Sequence, residues 1–272
     1  MPSEILSTIE LTASAALVVA ALSFSLATTA WRRILLAALL AVWFVIVVAL
    51  GATLALDYVG TPGLGVATAL PVAAICFAFF MAPPIRAALF AIPLPVLVAV
   101  NAARILGVSF ILLYAAHRLP APFALSAGWG DIFVGLTALP MAWLVARYGA
   151  RVRGLTLAWN VIGLVDLIAA IGFGATSSPG PIQIFKVSPD TSLMTTLPWI
   201  LIPCFLVPCY LSLHVAIFYR LSRTSPSALA SGDRPASASP APGWTSTAKP
   251  ASGVQSFSPF NALYRALEHM SA

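Results

Sequence analysis

Residues 94–115 read LPVLVAVNAARILGVSFILLYA, a run of twenty-two in which Arg104 is the one charged residue. An α-helix rises ~1.5 Å per residue, so this stretch is about 33 Å long, enough to cross a hydrocarbon core of about 30 Å. A charge at the middle of such a run is costly unless it faces a partner inside a bundle. Both features point to a membrane-spanning helix with something to contact.

The rest of the chain agrees with that stretch. Of the 272 residues 60% are apolar, the mean hydropathy is +0.98, and only 8% are charged. Soluble domains carry about 25% charge, and a soluble fold could not hide so much apolar surface. The expected fold is therefore all-α, a polytopic transmembrane helix bundle occupying residues 1–221. About seven spans are expected, at 11–30, 34–56, 65–82, 94–115, 128–146, 154–174 and 197–219. Residues 85–92 either lie in the interface or lead into the fourth span.

Loop charges orient these spans. With the N-terminus outside, the inner loops hold Arg32, Arg33, Arg86, Arg147, Arg151, Arg153, Arg220 and Arg223, and the outer loops only Arg118 and Lys186. That asymmetry is a positive-inside signal, and it puts the C-terminus in the cytoplasm. The net charge of +6 is thus an orientation signal and not a nucleic-acid face. Glu4 and Glu10 precede the first span without any Lys or Arg, the reverse of a signal peptide, so that span is read as retained.

Beyond the spans, residues 222–256 are mostly Ser, Ala, Pro and Gly, and are expected to form a disordered linker. Residues 257–272 are expected to form a short amphipathic helix, with Ser258 as N-cap, Pro259 in the first turn and Phe260, Leu263, Tyr264, Leu267 and Met270 on one stripe. It either frays or docks on the inner leaflet or a cytoplasmic partner.

Polar residues within the spans are the candidate functional groups. Asn101 and Arg104 share a face; Asp131 lines up with Gly135, Ala138 and Ala142. Trp159, Gly163, Asp166 and Ala170 form a second stripe, and Pro203, Val207, Tyr210 and His214 a third. By depth, Arg104 and Asp166 lie roughly 15 and 18 Å from the inner ends of their helices, near the midplane. Asn101, Asn160 and His214 lie about 7–11 Å from those ends, and Asp131, in the GWGD sequence at 128–131, belongs to the outer rim.

These six residues mark a polar column through the last four helices, along which a small solute or a proton could pass. Four of them have a plainer reading: Arg104 and Asp166 as a staple fixing helix register, His214 as a hydrogen-bonded packing residue, Asp131 as a helix cap. Pro198, Pro203 and Pro208 mark either a hinge or a curved helix.

Several chemistries are set aside. Lys186 and Lys249 are the only lysines and neither is in a span, so a retinal Schiff base is excluded. His117 and His214 lie at different depths, unsuited to bis-histidine haem. HExxH, GxSxG and phosphate-loop patterns are missing, and Cys76, Cys204 and Cys209 form no CxxC pair. No catalytic residue, metal site or cofactor is assigned. The lipid bilayer is the expected partner, and nucleic acid is not. The competing class is a membrane sensor or partner-binding scaffold whose polar core only locks packing.

RILG at 104–107, LPAPFALSAGWGD at 119–131, WNVIGLVD at 159–166 and PWILIPCFLVP at 198–208 together carry a resemblance. Over about residues 95–220 the chain resembles an uncharacterised family of bacterial polytopic integral membrane proteins. The resemblance implies a bacterial inner-membrane location. It implies no activity, and no site residue rests on it.

Overall fold

The computed structural model describes residues 2–24, 30–81 and 92–223, and every regular element among them is helical. Helix α1 is Pro2–Phe24, α2 Ala30–Ala52 and α3 Ala55–Met81. Then α4 (Leu94–Ala99) continues through a 3-10 segment, Val100–Gly107, into α5 (Val108–Ala115). Helix α6 is Ala121–Tyr148, α7 Arg153–Thr176 and α8 Val207–Arg223, the last preceded by a π-helical turn at Ile202–Leu206.

Four helical segments are long and apolar enough to cross a membrane: Arg33–Ala52, Leu94–Ala115, Ala121–Thr176 and Ile202–Ser222. The third is two helices, α6 and α7, joined by a 3-10 turn at Gly149–Val152. Leu11–Ala20 and Pro62–Ile75 are shorter apolar helices. The segment 85–91, the linker and the terminal helix expected at 257–272 lie outside the described residues. Helix α8 runs to Arg223, the last described residue.

The clearest departure from expectation is the start of α6. Hydropathy places it at 128, but the helix begins at Ala121, after Pro120 in extended backbone (ψ 144°) and with Pro122 in its first turn. Proline fits there, since the first helical N–H groups have no intrahelical partner. The seven added residues carry Asp131 three turns into the helix.

Helix α6 is the hub. It packs along the whole of α4, the 3-10 segment and α5 on one side and against α7 on another, while α8 packs on α7 and α3. The 3-10 segment has a local cause. Asn101 Nδ2 donates back to the carbonyls of Leu97 (3.0 Å) and Val98 (3.4 Å), competing with the α-ladder at that point. At three residues per turn, Asn101, Arg104 and Gly107 stack on one face, and all three are buried.

The prolines before α8 also have a structural outcome. Pro198 falls in the turn ahead of the helix, and Pro203 lies in the π-helical turn. Pro208 has no N–H to return to the Cys204 carbonyl in an α-ladder, and the indole of Trp43 on α2 donates to that oxygen at 2.8 Å. A freed acceptor thus ties α2 to the start of α8.

Candidate functional site

The site is built around Arg104. The 3-10 face delivers its side chain to the junction of α6, α7 and α8, where it has no solvent exposure. Nε donates to Asp131 Oδ1 on α6 at 2.6 Å, and Nη2 donates to Asp166 Oδ2 on α7. Nη1 donates to the Gly163 carbonyl at 3.2 Å and to His214 Nε2 on α8 at 3.1 Å. The Tyr210 ring lies beside the guanidinium, 5.7 Å from its centroid. One side chain therefore bonds three other helices.

Donor logic fixes the histidine. A guanidinium only donates, so His214 Nε2 must accept, and the ring proton sits on Nδ1. Nδ1 donates to Asn160 Oδ1 at 2.8 Å, and Asn160 Nδ2 returns a bond to the His214 carbonyl at 3.1 Å. His214 is thereby the neutral Nδ1–H tautomer. The network holds one positive charge and two carboxylates.

Small residues make this convergence possible. A Cβ at Gly130 would strike the Asp166 carboxylate, and one at Gly163 would lie 2.9 Å from His214 Nε2. A Cβ at Gly107 would meet Asp131, and one at Gly135 would meet the backbone of Arg104 and Ile105. These glycines are what lets α6 and α7 come close enough for both carboxylates to reach one arginine.

Arg104 and Asp166 meet, as matched depth and opposite charge suggest. Asp131 is a correction to the cap reading: α6 starts about two turns earlier, so Asp131 lies within the helix, where it meets Arg104. His214 and Asn160 join the same network. Asn101 does not; it bonds its own turn, and its buried Oδ1 has no partner among the described residues. Sequence reading missed the glycines at 107, 130 and 163 as close-approach points and Tyr210 as the arginine's neighbour. The Pro120–Ala121–Pro122 helix start was the signal that could have placed Asp131.

A cavity of about 30 Å³ lies beside the network, lined by Arg104, Asp131 and Tyr210 and closed on one side by Leu11 of α1. That is room for one or two waters. Asp131 and Asp166 side chains retain 18% and 10% exposure, and no hydrogen bond among the described residues reaches Asp131 Oδ2 or Asp166 Oδ1. Each carboxylate has one oxygen spent on Arg104 and one available.

The profile of a family described as a domain of unknown function, DUF8737, matches residues 61–222. The chain belongs to this family. No curated protein and no solved structure matches it. The DUF8737 region contains Arg104, Asp131, Asn160, Asp166 and His214, so the whole network lies inside it. It starts within α3, leaving α1 and α2 outside the match.

Proposed function

We propose that this is an integral membrane protein of the bacterial inner membrane, with about seven spans, that passes protons along the polar network of its last four helices. The observation that carries the reading is the surplus carboxylate. A staple needs one acid for one arginine; here Arg104 faces both Asp131 and Asp166, leaving one net negative charge in an apolar bundle. One bound proton neutralises it, and the unbonded oxygens of the two acids are where that proton can sit. The adjoining cavity of about 30 Å³ has room for one or two waters, which can carry a proton to and from the acids.

The test is proton flux in proteoliposomes under an imposed potential, followed by an internal pH dye. Flux above that of empty vesicles is expected, falling to the empty-vesicle rate in Asp131→Asn. That variant leaves Arg104 balanced by Asp166, so loss of flux is not loss of fold. If the native protein carries no more protons than empty vesicles, the network is a structural lock and the scaffold reading takes its place. That reading is favoured by one observation, the complete burial of the Arg104 side chain with four hydrogen bonds to three helices.

The proposed orientation has the N-terminus outside and the C-terminus cytoplasmic, on the loop-charge asymmetry. The tail after Arg223 is proposed as a flexible tether ending in the amphipathic helix at 257–272. In a background lacking Cys76, Cys204 and Cys209, an impermeant maleimide applied to intact cells should label a cysteine at the exposed position of Lys186 and spare one at Ser239. The opposite pattern would invert the topology.

A further inference from the structure

The cavity of about 30 Å³ beside Arg104 is apolar over most of its wall. Leu11 of α1, Phe110 of α5, Leu167 of α7 and Ile202 and Leu206 of the π-helical turn all line it. Three lining side chains are polar: Arg104, Asp131 and Tyr210. What each can do with a proton differs. A guanidinium only donates, so it cannot take a proton in and pass one on. Asp131 is a destination in the proton reading, with Oδ1 held by Arg104 Nε and Oδ2 available. A phenol hydroxyl both donates and accepts, and among the described residues Tyr210 is the one such group on the wall.

Tyr210 is placed for that part. Ile202, Leu206 and Tyr210 recur every four residues through the π-helical turn and the start of α8, and all three line the cavity. The tyrosine ring is buried and lies against the Arg104 guanidinium, 5.7 Å from its centroid, so the ring is fixed. Its hydroxyl is not. No hydrogen bond among the described residues reaches it. The polar side-chain atoms sealed from water without a partner among those residues are Asn101 Oδ1 and Ser177 Oγ, so the Tyr210 oxygen stays within reach of water. A fixed ring with a hydroxyl free to turn about its C–O bond can accept on one side and donate on the other.

We infer that Tyr210 is the residue that hands protons from the cavity to Asp131. Its role rests on the proton reading and adds to it the group that loads the acid. A protonated water in the cavity gives a proton to the Tyr210 oxygen as the hydroxyl gives its own toward Asp131 Oδ2. Each oxygen along the chain gains one O–H bond and loses one, except the first water, which only loses, and the carboxylate, which only gains. Rotation of the hydroxyl restores the starting state. Asp166 is not on the lining, so Asp131 is the acid loaded from this side.

Proton flux in proteoliposomes of the full chain tests it. Tyr210→Phe keeps the ring against Arg104 and removes the hydroxyl alone. Its melting temperature should match that of the native chain. Its flux should fall about 100-fold, the lower end of what a positioned proton-transfer group contributes, or to the empty-vesicle rate where that comes first. Tyr210→His puts back a group that both donates and accepts, and should conduct measurably faster than Tyr210→Phe. Leu11→Phe fills the cavity from α1 without altering Arg104, Asp131 or Tyr210, and should slow flux with the tyrosine in place. Native flux in a folded Tyr210→Phe variant overturns the assignment, and a histidine variant as slow as the phenylalanine one does so too, by placing the loss in packing. If Tyr210→Phe does not fold, native flux in Leu11→Phe overturns it, because water then has no route to the hydroxyl. A native chain that conducts no more than empty vesicles removes the proton reading itself, whereas native and Tyr210→Phe chains that conduct equally well remove the relay alone.

Discussion

Replacing Arg104 by methionine is expected to cost about 3–5 kcal/mol of stability. The loss has two sources. Arg104 bonds Asp131, Asp166, the Gly163 carbonyl and His214, so four acceptors on three helices lose their donor together. Two carboxylates are also left without the charge that offsets them, in a bundle whose other neighbours are largely apolar. Methionine fills similar length and removes packing loss as an explanation. The triple variant Arg104→Met, Asp131→Asn, Asp166→Asn should recover much of the loss, because it removes the stranded charges along with the arginine. Unfolding in mixed detergent micelles measures both. A single variant as stable as the native chain would mean that the network contributes nothing to holding the four helices, and a triple variant no better than the single would place the cost in the lost hydrogen bonds and not in the stranded charges.

The parts of this site legible in the sequence are those that depend on depth and sign. Arg104 and Asp166 are opposite charges at equal height on apolar helices, and two such groups have few alternatives to meeting. His214 and Tyr210 share a stripe on α8, and both reach the arginine, His214 by a hydrogen bond and Tyr210 by its ring face. Asp131 was legible in its phase, through Gly135, Ala138 and Ala142, and illegible in its height. Hydropathy starts the helix where the apolar run thickens, near 128, whereas the backbone starts it where prolines fit the first turn, at 121. Seven residues at ~1.5 Å each move the carboxylate about 10 Å along the helix. The 3-10 geometry of Val100–Gly107 was not legible either, because helical periodicity cannot tell three residues per turn from 3.6 over so short a stretch. The same holds for the glycines. The small-residue stripe of Gly135, Ala138 and Ala142 suits close helix approach, but periodicity alone does not separate a glycine that meets a neighbouring backbone, as Gly135 does, from one that meets open space, as Gly172 does.

That last contrast gives the second large effect. Alanine is the better helix former, by up to about 1 kcal/mol over glycine in a helix interior. At Gly172 on α7 nothing lies within 4 Å of the added Cβ, so Gly172→Ala should be neutral or slightly stabilising. At Gly135 on α6 the same methyl would lie 2.8 Å from Ile105 Cα and 2.9 Å from the Arg104 carbonyl carbon. Those are backbone atoms of the 3-10 segment and cannot rotate aside, so the two elements must part. Overpacking of this kind costs typically 1–3 kcal/mol, more than the propensity gain, and Gly135→Ala should be destabilising on balance. Gly130→Ala differs again, since its methyl meets the end of the Asp166 side chain. The carboxylate can swing away, at less cost than parting two backbones, but only by leaving Arg104. The expected order of melting temperature is therefore Gly172→Ala highest, Gly130→Ala next and Gly135→Ala lowest. Proton flux should be lost in Gly130→Ala even though it remains folded. If Gly135→Ala proves as stable as Gly172→Ala, α6 does not press on the 3-10 segment, and the close approach that brings Asp131 to Arg104 is not what holds the network together.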